Sequence, residues 1–146
     1  MTVSLSGLQV GKELTERFPD AVLEATDKAV LVKVDSLFEV AQYLKDGSEL
    51  KFDYLTYITA VDYMDYFELV YQLTSLEQNH TAVIKARCYE RDNPVAPSIV
   101  SLWQGADFQE REIFDLMGIT FEGHPNMKRI VLWDGFQGHP LRKDFL

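Results

Sequence analysis

FDYLTYITAVDYMDYFELVYQLTSLEQNHTAVIKARCY, residues 52–89, is the stretch that decides the fold. β-Branched and aromatic residues crowd three runs, 52–62, 66–75 and 81–89, parted by Met64-Asp65 and by the polar segment 77–80. Such side chains suit a pleated, half-buried surface, and short polar breaks suit hairpins, so the spacing predicts three successive strands in an antiparallel meander. In the third run Ile84, Ala86 and Cys88 alternate with Lys85 and Arg87, which gives one buried and one wet face. Cys88 therefore reads as a small core hydrophobe. His80, in the polar break, reads as a solvated loop residue.

Upstream, Leu8, Leu14 and Phe18 fall at helical spacing and Pro19 stops them, so a short amphipathic helix is expected over 8–18. Residues 22–26 and 30–34 read as two short strands of a hairpin or adjacent ladder. Ser36-x-x-Glu39 has the form of a capping box. Leu37, Val40, Ala41 and Leu44 then follow at i, i+3, i+4 and i+7, and Gly47 offers a stop, so a helix is predicted over 37–46.

Downstream, Pro94 and Pro97 break the pattern before a third helix, for which Asp107 is the expected N-cap, Glu110 the N3 partner and Gly118 the stop. At 100° per residue Ile113, Leu116, Met117 and Phe114 share its inner face, while Phe108, Arg111 and Asp115 point outward. Carboxylates in the first turn favour the helix dipole, and Arg111 is placed to meet Asp115 at i+4. Helices and strands mix without strict βαβ alternation. The expected class is α+β, a two-layer sandwich with a mixed sheet containing the meander.

The chain has 146 residues with 47% apolar content, enough for one domain with a core of its own. Its net charge of −9 repels phosphate backbones and anionic headgroups, so nucleic acid and membrane surface are poor partners. One cysteine permits no internal disulfide, no CxxC zinc site and no four-cysteine cluster, so the chain should carry no iron-sulfur cluster of its own. The opening residues lack a basic segment followed by an apolar one, and no stretch nears the roughly 20 apolar residues of a span; a soluble protein in a reducing compartment is expected.

Residues 124–146, HPNMKRIVLWDGFQGHPLRKDFL, carry neither period and read as an extended arm beside a body of residues 1–123. Lys128, Arg129, Arg142 and Lys143 against Asp134 and Asp144 give the arm +2 and leave the body −11. Its aromatics, Met and Arg have the composition of interface cores. Self-packing on the acidic body is one reading. The second, favoured here, lays much of the arm on another subunit, because nine large apolar residues exceed what a solvated tail keeps. Gly123-His124-Pro125 and Gly138-His139-Pro140 read as defined chain reversals in preference to metal or acid-base groups.

Taken in order, Glu110-Arg111-Glu112-Ile113-Phe114-Asp115-Leu116-Met117-Gly118-Ile119, His124-Pro125, Lys128-Arg129-Ile130 and Gly138-His139-Pro140-Leu141-Arg142-Lys143-Asp144-Phe145 resemble the 30 kDa subunit of proton-pumping NADH:quinone oxidoreductase, respiratory complex I. Phe108 and Met117 depart from the family's commoner Trp and Phe, and the end at Leu146 suits a compact bacterial or archaeal type. The resemblance implies a cofactor-free subunit of the peripheral arm, on the cytoplasmic side of the cell membrane, packed on the quinone-site subunit near the iron-sulfur subunits. Electrons would pass through those neighbours. Arg111 and Asp115 would hold register, His124 and His139 would shape turns, and Arg129, Arg142 and Phe145 would anchor the contact. Related ferredoxin- or deazaflavin-dependent complexes and membrane-bound hydrogenases contain similar subunits. A rival from another class is a small enzyme pairing His124 or His139 with Glu110, Glu112 or Asp115 as acid and base; a generic interaction module is the third.

Overall fold

A computed structural model describes residues 2–133 and 135–145. Met1, Asp134 and Leu146 lie outside the described residues, and so do the charge and the apolar terminus assigned above to the last two.

The meander forms as its alternation requires. β4 (Tyr54–Asp62), β5 (Phe67–Ser75) and β6 (His80–Cys88) are consecutive antiparallel strands. Ahead of them, β2 (Val22–Ala25) and β3 (Val30–Val32) make an antiparallel hairpin, and β3 adds parallel to β6. A short first strand, β1 (Val3–Ser4), pairs with the start of β6. The order is β2-β3-β6-β5-β4, which leaves β4 as a free edge among the described residues. A second, two-stranded parallel sheet joins β7 (Val95–Pro97) to β8 (Thr120–Glu122). β1, β7 and β8 span two or three residues each, too short to show a period.

Helices cover one face of the large sheet. α1 (Gly7–Arg17) starts at Ser6, whose hydroxyl accepts from the Leu8 amide at 3.1 Å, and it lies over Ala25 and Val30. α2 (Leu37–Gln42) and the turn that follows it set Leu37, Val40 and Leu44 against Tyr71, Leu73 and Ile84. α3 (Ala106–Met117) connects the two strands of the small sheet and runs beside β4. Phe67, Leu69, Tyr71 and Leu73 of β5 face these helices and are almost wholly buried, whereas the alternate Val70, Gln72 and Thr74 are half-exposed. This is the expected two-layer α+β sandwich with a mixed sheet.

Several local expectations fail for identifiable reasons. The 36–39 capping box does not form, because a 3-10 turn over Val34–Ser36 leads into α2 and gives Ser36 a helical backbone that turns its hydroxyl away from the N3 amide. The helix then widens into a π turn over Tyr43–Gly47, closed by Ser48 N–H on the Tyr43 carbonyl at 2.8 Å, so Gly47 does not act as a left-handed stop. Asp107 is not the N-cap of α3. The turn around Ile99–Trp103 feeds the helix directly, and Ala106 and Asp107 donate to the carbonyls of Trp103 and Gln104; Gly105 occupies the cap. His80 heads β6 instead of a loop: Nε2–H donates to the Leu50 carbonyl at 2.8 Å and the ring lies 5.2 Å from that of Phe52.

Phe52 is fully buried, packs on His80 and offers its carbonyl to Trp103 Nε1–H at 3.2 Å. Phe52→Ala keeps the carbonyl and removes the ring, so it should lower unfolding free energy by about 3–5 kcal/mol, read as a shifted denaturant midpoint at unchanged slope.

Candidate functional site

Helix α3 carries two wholly buried carboxylates, Glu110 and Asp115. Five residues of helix separate them, roughly 140° of rotation, so one faces the body while the other faces the arm. Glu110 accepts from the Ser98 hydroxyl at 2.6 Å and from the Ile99 amide at 2.9 Å, which fastens α3 to the segment after β7. Burial raises its pKa against the opposing effect of those two bonds and of His124 nearby. Its role is thus tertiary, not the capping contact expected.

Asp115 holds the arm. One carboxylate oxygen accepts the three consecutive amides of Ile130, Val131 and Leu132, at 3.2, 2.8 and 2.8 Å, and the other accepts Arg129 Nη1–H at 2.8 Å. Successive amides converging on one oxygen form an anion cradle of the kind that binds phosphates elsewhere. Burial alone would raise the Asp115 pKa; the hydrogen bonds from Leu132, Val131, Ile130 and Arg129 outweigh it and lower it. The outward Arg111–Asp115 pair does not form. Arg111 instead donates to the carbonyls of Lys128 and Arg129 at 3.1 and 3.2 Å, so both side chains are drawn onto the arm and away from each other.

The arm also closes the end of α3, where the last carbonyls have no partner within the helix. His139 Nδ1–H donates to the Asp115 carbonyl at 2.9 Å, the Leu141 amide to Leu116 at 2.9 Å and Arg142 Nε–H to Met117 at 2.6 Å. The Arg142 guanidinium at this end also complements the helix dipole. Gly118 makes the approach possible: its φ is +78°, and a Cβ there would stand 2.7 Å from both Arg142 and the His139 ring. His124 is an internal strut, with Nδ1 accepting the Asn126 amide at 2.9 Å and Nε2 3.0 Å from an Asp107 carboxylate oxygen.

A second anchor was not legible in the sequence. Asp62, at the end of β4, accepts two Arg91 nitrogens at 2.7 and 3.0 Å, the Met64 amide at 2.8 Å and, from the arm, the Lys143 amide at 2.9 Å. The Arg91 bonds are the main reason that its carboxyl is held well below the usual range. Arg91 also reaches Asp144 at 3.1 Å, and Arg91 and Arg142 lie 4.7 and 5.0 Å from the Phe67 ring centroid. Residues 62, 91 and 143 are too far apart in the chain for spacing to join them.

These contacts use the polar side of the arm. Lys128 and Lys143 enter through backbone groups and keep their side chains exposed, as Glu112 does. Phe145 stacks on Phe136, which meets Trp133 edge-on at 5.0 Å. The opposite, apolar side is open: Trp133 is 71% exposed, Leu141 60% and Val131 58%. The arm therefore packs on its own body and still presents large apolar groups outward. Among the described residues no group of three or more His, Cys, Asp or Glu is placed to hold a metal ion, and no helix is long and apolar enough to cross a membrane.

Fold and junction together define an α+β protein whose last helix is strapped by its own C-terminal arm through buried carboxylates. The family described as respiratory-chain NADH dehydrogenase, 30 Kd subunit, matches residues 30–146, and the chain belongs to that family. The corresponding NADH-quinone oxidoreductase subunit from Moorella thermoacetica is 44% identical over 138 residues, covering 92% of this chain and 91% of the relative. Its counterpart from Roseiflexus castenholzii is 39% identical over 149 residues, covering 97% and 85%. Among solved structures, a chain of the membrane-bound sulfane sulfur reductase, an archaeal respiratory membrane complex, superposes with a TM-score of 0.75 at 27% identity, covering 95% of this chain and 85% of that one.

Asp115→Asn removes the charge held by Arg129 and the amide cradle and should cost about 2–3 kcal/mol of stability. Hydrogen exchange at amides 130–132 should accelerate most. Because the folded pKa values of Asp62 and Asp115 are lowered, their contribution is complete above the unfolded value of about 3.9 and is lost as pH falls through the folded values. A thermal-unfolding series from pH 7 to about pH 2 should show the onset of that acid loss below about pH 4 in the parent chain and a shallower one in Asp115→Asn.

Proposed function

We propose that this chain is a docking and assembly subunit, without a cofactor of its own, in the peripheral arm of a proton-translocating NADH:quinone oxidoreductase. It sits on the quinone-site subunit beside the iron-sulfur subunits, on the cytoplasmic side of the membrane, and electrons pass through those neighbours. Its task is to complete and orient their surface. Family membership supports the complex; the two-sided arm supports the role. Trp133 at 71% exposure carries the argument, because an indole held outward on a strap pinned to α3 belongs under a partner.

A second reading places the chain in a related membrane complex with another electron donor, and the likeness to the sulfane sulfur reductase chain favours it. Relatives at 39 and 44% identity named as NADH-quinone oxidoreductase subunits weigh toward the first. A small acid-base enzyme fits poorly. His124 is buried with both ring nitrogens in contact, and Asp115 is fully engaged by the arm.

The doubly substituted Val131→Ser, Trp133→Ser chain tests the proposal, since both positions are exposed, neither side chain bonds to the body, and no charge is added beside the Asp115 cradle. Its unfolding should match the parent. A lost hot spot is worth about 2 kcal/mol or more, roughly thirtyfold in affinity, so the chain should no longer co-purify with the complex in mild detergent, and NADH-to-quinone activity should fall. Undiminished incorporation and activity would overturn the docking role. Ferredoxin in place of NADH separates the two readings of the complex.

A further inference from the structure

Between β4 and α3 lies an open cavity of about 150 Å³. Ile58, Ile113 and Met117, all buried, form its floor, and the exposed Leu141 of the arm forms one lip. A space of this size takes about one benzene-sized group. Its second wall is the free edge of the large sheet. There the Ile58 amide turns outward and donates to Gln109 Oε1 at 2.7 Å, and strand alternation points the amide and carbonyl of Ala60 to the same side. Glu112 stands on the helix side of the rim, exposed and without an ion pair among the described residues.

We infer that this cavity receives one ring-sized apolar side chain from an extended, basic segment of a neighbouring subunit, which pairs with the β4 edge at Ala60 and sets a Lys or Arg against Glu112. The inference rests on the docking role proposed above. Three features select this occupant over a helix or an acidic loop. Edge groups on Ala60 satisfy an extended backbone but not a helix, whose own groups are internally bonded. An unpaired carboxylate on a body of net charge −11 selects a cation. Leu141 joins the cavity to the outward face of the arm, so one partner surface reaches both.

The test uses the assembled complex. Cys88, the native cysteine of this chain, is buried, so Glu112→Cys supplies a unique accessible thiol on it. A soluble maleimide should label that thiol at least tenfold more slowly in the complex than in the isolated chain. A thiol-anchored photocrosslinker should land on a neighbour's extended segment with a large apolar residue and a Lys or Arg close by. Ala60→Phe, which fills the cavity, should restore fast labelling in the Glu112→Cys background while leaving the unfolding temperature of the isolated chain unchanged. Equal labelling of complex and isolated chain, or a crosslink to a helical or acidic segment, overturns the inference; continued co-purification of the chain would leave the docking role standing. Failure of the unsubstituted chain to co-purify with any such complex removes both.

Discussion

Asp115 is the constraint on which the rest of the functional surface depends. A buried carboxylate needs compensation by hydrogen bonds or opposite charge, and here every compensating donor comes from the arm: three amides and one guanidinium. The helix therefore cannot bury this residue unless the arm is in place, and residues 129–132 cannot settle elsewhere without leaving it unmatched. An irregular segment acquires a defined path without a helix or strand of its own. The three C-terminal carbonyls of α3 extend the same logic, since their donors also lie on the arm.

This division of labour makes the arm two-sided. Polar groups and backbone amides face α3 and the end of β4, and Met127 packs on the core, while Val131, Trp133 and Leu141 are left pointing outward. A tail held by apolar burial would have done the reverse, sheltering Trp133 and exposing its charges. Strapping by hydrogen bonds keeps the apolar surface available, and the second anchor at Asp62 fixes the far end of the strap through Lys143 and Asp144. The arm thus packs on its own body, as one of the two readings of its composition had it, and still leaves Val131, Trp133 and Leu141 exposed.

Much of the scaffold was legible in advance because its signals are local. Alternation over 81–89, hydrophobic spacing in α2 and the Gly118 stop each involve residues within a turn or a strand of one another. The failures were local motifs overruled by their surroundings. Ser36 has the right neighbours for a capping box, but a preceding 3-10 turn had already set its backbone. Arg111 and Asp115 have ideal i+4 spacing, but stronger partners arrive from the arm, and an exposed helix pair is worth only about 0.2–0.5 kcal/mol.

The order of residue types by itself determined the α+β class, the meander, an acidic body with a cationic, apolar tail and the family signature, because periodicity, composition and short motifs are readable along one dimension. Only the tertiary structure decided that Glu110 and Asp115 are buried on different sides of one helix, that Asp62 and Arg91 join the strap, and that the aromatic side of the arm faces out. Those outcomes follow from which donors reach which carboxylates across 11 to 81 residues of chain, a matter of closure in three dimensions that no spacing encodes.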